Sequence, residues 1–120
     1  MTETGPIDLA ALDKLLAVIG GDADDLQELI ADFHGIAADL NATIRAGVAA
    51  ADWDAVRIAA HTLKSNARDF GAMSVAALCQ TLEQHMKDGG TVEPGSLVEP
   101  LDRAVAEALA ALEALGTRHG

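Results

Sequence analysis

Asp52-Trp53-Asp54-Ala55-Val56-Arg57-Ile58-Ala59-Ala60-His61-Thr62-Leu63-Lys64-Ser65-Asn66-Ala67-Arg68-Asp69-Phe70-Gly71 is the stretch that decides the fold. At roughly 100° per residue, Val56, Ala59, Leu63, Ala67 and Phe70 gather on one side. That spacing predicts a helix from Trp53 to about Phe70 with this side in a core. Asp52 suits its N-cap and Gly71 a tight turn after it. The other side is polar. Measured from His61, Arg57, Lys64, Ser65 and Arg68 fall within about 60°, and Ile58 sits at the edge of the same face.

The helical period continues in both directions. Leu26, Leu29, Ile30, Phe33, Ile36, Leu40, Ile44 and Val48 predict a long helix, capped by Asp22 and ending near Ala51, or earlier at Gly47. A shorter apolar run, with Leu9, Leu12, Leu15 or Leu16 and Ile19, stops at Gly20-Gly21. Beyond Gly71 a helix is expected from about Met73 to Lys87. Residues 88–96 then read as the only long loop. Ser96-Leu97-Val98-Glu99 has the capping-box pattern for a last helix reaching about Leu115, although Pro100 leaves its start open. Residues 1–6 read as a loose tail. No repeat and no period-two stretch appears. The expectation is one all-α domain over residues 1–120: an antiparallel, up-down four-helix bundle with a short additional N-terminal helix.

Composition agrees and narrows the function. Of 120 residues, 25 are Ala and 15 Leu, the strongest helix formers, against one Trp, two Phe and no Tyr. The chain carries 8 Lys and Arg against 19 Asp and Glu, a formal charge of −11. Such a surface repels phosphate backbones, so nucleic acid is not expected as a partner. It favours a soluble monomer. A single cysteine, Cys79, excludes an internal disulfide framework. Met1-Thr2-Glu3 is acidic where a secretory signal needs positive charge, and Asp13 and Lys14 interrupt the apolar run after it. Neither signal peptide nor membrane anchor is expected, and the location read from this is cytoplasmic.

His61 is where chemistry is expected. It points away from the apolar seam, and three of the eight basic residues lie around it. The plainest alternative is a surface histidine on a solvated helix. A cationic cluster beside an imidazole, however, is what a phosphorylated histidine needs: the neutral ring attacks phosphorus, and positive side chains hold the oxygens. Ser65, one turn on, is small enough to leave the ring open to approach. Ile58 is an apolar group left where a partner can cover it.

Ala60-His61-Thr62-Leu63-Lys64-Ser65-Asn66, then Phe70-Gly71-Ala72, Leu78-Cys79 and Leu82-Glu83, together resemble the histidine-containing phosphotransfer (HPt) domain. Gly20-Gly21-Asp22, Leu29-Ile30-Ala31-Asp32-Phe33 and Asp52-Trp53 are also similar to that family. The resemblance covers about Ile7 to Asp88, and the last helix fits without a motif. It implies that His61 accepts a phosphoryl group, that Lys64 stabilises it, and that Glu83 accepts a hydrogen bond from the imidazole and orients it. Counting supports this last pairing, since His61 lies ten residues before Gly71 and Glu83 twelve after. Ser65 stands where the family most often has glycine, and its small size is expected to preserve access. Arg57, Ile58 and Arg68 are expected to meet the partner, with Leu12 or Leu16 of the first helix bordering the site.

The same resemblance implies a phosphorelay in which a phospho-aspartate on a receiver domain donates to His61 and a second receiver takes the group onward. The partners would be receiver domains of a hybrid histidine kinase and of response regulators. Mg²⁺ would sit on the receiver, and no cofactor is expected here. The chain has no GxxxxGK[ST] loop or other ATP site, which excludes an autonomous kinase. In the dimerising domain of sensor kinases an acidic residue follows the histidine and a proline lies near. Here Thr62 follows, and no proline occurs between Pro6 and Pro94. An acyl carrier needs an Asp-Ser-Leu motif, which is missing. A module that docks on a receiver and inhibits it without accepting phosphate is the remaining alternative. His34, His85 and His119 show no metal-ligand spacing, and no metal site is expected. Cys79, Met73 and Met86 read as core filler, and Trp53 as a staple at its helix start.

Overall fold

The structure, a computed structural model, describes residues 7–18, 20, 23–88 and 95–119. They form α1 (Leu9–Val18), α2 (Ala23–Ala50), α3 (Trp53–Asp69), α4 (Met73–Asp88) and α5 (Gly95–His119). α2 and α4 each pack on both α3 and α5, so the four long helices close a ring, and α1 lies on α3. This is the antiparallel bundle, with its short leading helix, that the apolar periodicity predicts. Leu26, Ile44, Leu63, Leu82, Leu101 and Leu112 are among its fully buried side chains.

The ends of α3 set the position of His61. Asp52 caps the start, its carboxylate accepting from the Ala55 N–H at 3.3 Å. At the other end Gly71 adopts φ +78, Gly71 N–H donates to Arg68 C=O at 3.1 Å, and Ala72 N–H donates to Ala67 C=O at 2.8 Å. These two bonds are the reversal that lets a helix stop within one residue. Gly71 has a second reason to lack a side chain. Asp8 N–H donates to its carbonyl at 2.7 Å, and the Asp8 carbonyl occupies the space a Cβ would need. Asp8 also starts α1, its side chain accepting from Ala10 N–H at 3.0 Å. One crossing thus fastens α1 to the α3–α4 turn, and Ile7 and Leu12 fill the core beneath. Phe33 of α2 and Phe70 stack with ring centroids 4.6 Å apart.

Several expectations shift. α2 ends at Ala50, near the expected Ala51, and the earlier alternative at Gly47 falls away. A Cβ there would lie 2.7 Å from Val56 Cγ2, so glycine permits a close α2–α3 crossing. The stop falls to Ala51, at φ +56, with Ala51 N–H bonded to Val48 C=O at 3.2 Å and Asp52 N–H to Gly47 C=O at 2.8 Å. Ile36 is exposed, on the solvent side of its helix. Trp53 is also exposed and covers its helix start only in part.

α5 begins at Gly95 and runs past Leu115, with Pro100 inside it. Helix therefore takes both ends of the 88–96 loop, and Ser96 already lies within α5. Proline costs one hydrogen bond there, but Leu101, Val105, Ala108 and Leu112 bury a continuous stripe that outweighs it. The tail 1–6, the Asp22 cap, Ile19, Gly21 and residues 89–94 lie outside the described residues.

Candidate functional site

His61 and Glu83 face each other across the α3–α4 hairpin, as their near-equal distance from Gly71 predicts. His61 Nδ1 and Glu83 Oε2 are 2.8 Å apart. The other carboxylate oxygen, Oε1, lies 2.5 Å from Lys64 Nζ. Lys64 in turn donates to Gln80 Oε1 at 2.9 Å. The register is regular: three residues onward along α3 from His61 is Lys64, and three back along α4 from Glu83 is Gln80. His61–Glu83 and Lys64–Gln80 are two rungs of one antiparallel pair, and Lys64–Glu83 is the diagonal between them.

The electrostatics fix the state of the ring. Burial raises the Glu83 carboxyl, but hydrogen bonds and charge from Lys64 and His61 outweigh that and hold it below its ordinary value. Glu83 is therefore ionised at neutral pH and can only accept. The proton of a neutral imidazole must then reside on Nδ1, which donates to Glu83, and Nε2 keeps its lone pair. The His61 side chain is 62% exposed. An anchored ring thus presents a nucleophilic nitrogen to solvent.

Lys64 is held more closely than its place on the His61 face alone indicates. Its side chain is only 12% exposed, drawn down onto Glu83 and Gln80. A helical wheel of α3 places it on the His61 face but does not see the acceptors that α4 brings opposite. Ser65 is exposed one turn from His61, and Ile58 is 56% exposed, as the sequence predicts. Arg57 is exposed and makes a long 3.9 Å pair with Asp54 in its own helix. Arg68 lies apart, lining a groove beside α1 with Lys14, Leu15, Val18 and Met73. Leu12 is buried in the core and cannot border the site. Leu16 is partly buried, and Val18 is exposed. Gln80 is the member that sequence reasoning missed.

Cys79, one turn before Glu83, is fully buried, and its thiol is pushed up to about 12 by burial, with Glu83 adding and Lys64 opposing. Among the described residues no three His, Cys, Asp or Glu side chains converge as a metal site. No helix among them is long and apolar enough to cross a membrane.

The family model described as the Hpt domain matches residues 37–115, which spans the second half of α2 and nearly all of α3 to α5. The chain belongs to the Hpt domain family. No curated protein matches it. Among solved structures, histidine-containing phosphotransfer protein B (HptB) from Pseudomonas aeruginosa PAO1 is similar, with a TM-score of 0.86 over 97% of this chain and 98% of that one. At 23% identity this likeness speaks for the fold, α1 included. The protein is thus a histidine phosphotransfer protein of a phosphorelay and not a kinase. Hpt domains in general interact with receiver domains. In this Hpt domain the exposed imidazole has a buried carboxylate behind it, and the exposed Ile58 lies one turn away on the same helix.

Proposed function

We propose that His61 is the residue of this Hpt domain that carries the phosphoryl group, taking it from the phospho-aspartate of one receiver domain and giving it to another. The observation that carries this reading is the 2.8 Å contact of Nδ1 with Glu83 on a ring that is otherwise open to solvent. The Nε2 lone pair attacks phosphorus, the bond from phosphorus to the aspartyl oxygen breaks, and the carboxylate leaves with the electron pair. The Nδ1 proton stays in place, and the positive charge that develops on the ring faces Glu83. Onward transfer is the reverse at a second aspartate.

Positioning and charge supply most of what phosphoryl transfer needs, so a helix with one anchored histidine suffices. Lys64 stabilises the phosphoryl oxygens from its place between Glu83 and Gln80. Ser65 leaves room for the group, and Ile58 and Arg57 meet the receiver. Mg²⁺ belongs to the receiver in this reading. The whole chain acts as one domain, a cytoplasmic monomer serving receivers of a hybrid histidine kinase and of a response regulator. Packing of α1 on α3 and the acidic surface support this.

Incubation with a ³²P-labelled phospho-receiver tests the assignment. The wild-type chain is expected to take up label that is lost in acid and kept in base, and His61→Gln to take up none while its helicity is unchanged. Label on His61→Gln would refute it. Tight binding of the receiver with no label on either chain would point instead to a docking inhibitor.

A further inference from the structure

Lys64 and Gln80 form the second rung of the site, with Nζ 2.9 Å from Gln80 Oε1, and the assigned chemistry gives Gln80 no role. We infer that Gln80 is a positioning residue for phosphoryl transfer: its neutral side-chain oxygen, together with Glu83 Oε1, holds the Lys64 ammonium beside His61 without cancelling its charge. The inference rests on His61 being the phosphorylated residue.

A lysine ammonium has three N–H donors. One is given to Gln80 Oε1, and the ion pair with Glu83 Oε1 draws Nζ to the same place, which orients the ammonium and leaves donor capacity for an incoming oxygen. Holding a flexible side chain in place before the reaction removes an entropy cost at the transition state. Gln80 itself is steadied from the same helix, its Nε2 donating to Gln84 Oε1 at 3.5 Å. Its neutrality matters as much as its reach. Glu83 already balances one positive charge, so a carboxylate at position 80 would leave the cluster net negative just where a phosphoryl dianion must approach. Gln80 is exposed, and nothing in the core depends on it.

The test is a double-mutant cycle on the rate of transfer from a phospho-receiver at saturating concentration. Gln80→Ala is expected to slow transfer about fivefold, the scale of one ordinary net hydrogen bond, with receiver affinity unchanged. Gln80→Glu is expected to slow it more than Gln80→Ala does. In a Lys64→Ala background, Gln80→Ala should change nothing further, an outcome that a merely structural role would not produce. Wild-type rates in Gln80→Ala or Gln80→Glu, or the same slowing with and without Lys64, would overturn the inference. Such a failure is distinct from failure of the underlying assignment, which would show as label on His61→Gln.

Discussion

Lys64 Nζ sits 2.5 Å from Glu83 Oε1, while Glu83 Oε2 faces His61 Nδ1 at 2.8 Å. One carboxylate thus serves two partners, and its removal has two separable effects. The imidazole loses its anchor, and a lysine that is mostly covered loses its counter-charge. Glu83→Ala is expected to slow phosphoryl transfer and to lower stability by about 1–3 kcal/mol, the cost of stranding a mostly buried charged group. Glu83→Gln keeps an acceptor for Nδ1 and is expected to be milder in both respects. Urea unfolding with an unchanged slope checks the stability, and transfer kinetics the rate.

The depressed carboxyl of Glu83 gives a pH dependence with a definite sign. A group whose folded-state value lies below its unfolded one stabilises above the unfolded value and loses that contribution as pH falls through the folded one. The contribution of Glu83 is therefore fully present above its ordinary value of 4.5 and is lost on acidification below it. The stability difference between wild type and Glu83→Gln is expected to be constant near neutrality and to shrink below that point. A difference that grows on acidification would contradict the ionised Glu83.

Two turn positions are expected to respond in opposite directions. Ala51 holds φ +56, a conformation glycine adopts freely, so Ala51→Gly is expected to stabilise by about 0.5–1 kcal/mol. Gly71→Ala would place a Cβ against the Asp8 carbonyl at φ +78, and is expected to destabilise by about 2 kcal/mol or more and to loosen α1. Thermal unfolding of the two variants checks both signs.

Much of this architecture is legible in the sequence because it rests on local signals. The Asp52 cap, the Gly71 stop and the apolar seam from Val56 to Phe70 bound α3 without tertiary information. What escapes is set by neighbours. Gly47 reads as a possible earlier stop for α2, yet it is the contact at which Val56 packs, and the helix ends near Ala51 as the longer reading expects. A wheel of α3 alone places Lys64 on the His61 face but omits the acceptors of α4 that hold it. The hairpin count that pairs His61 with Glu83 also pairs Lys64 with Gln80 and was sufficient to find it. Leu12 reads as a residue that could border the site because the placement of α1 depends on the Asp8–Gly71 crossing, which no periodicity encodes.

Ile58 is 56% exposed one turn from His61, an apolar group that the fold does not require. Ile58→Asp is expected to weaken receiver binding at least tenfold, about 1.4 kcal/mol, while leaving the melting temperature within about a degree or two. Titration calorimetry with a cognate receiver and a thermal melt measure the two. Unchanged affinity would place the docking surface elsewhere.

Cys79 is fully buried with its thiol pushed up to about 12, so it is expected to resist alkylation at neutral pH in the folded chain and to react once the chain is unfolded in urea. Mass spectrometry after iodoacetamide treatment in the two conditions checks this. Rapid alkylation of the native protein would contradict the packing of α4.

The most direct test of the central claim is the position of phosphorus on the phosphorylated chain. ¹⁵N and ³¹P NMR of protein labelled by a phospho-receiver is expected to show phosphorus bonded to Nε2 of His61, with Nδ1 still protonated and hydrogen-bonded to Glu83. Phosphorus on Nδ1 of His61, or on any other residue, would contradict the account.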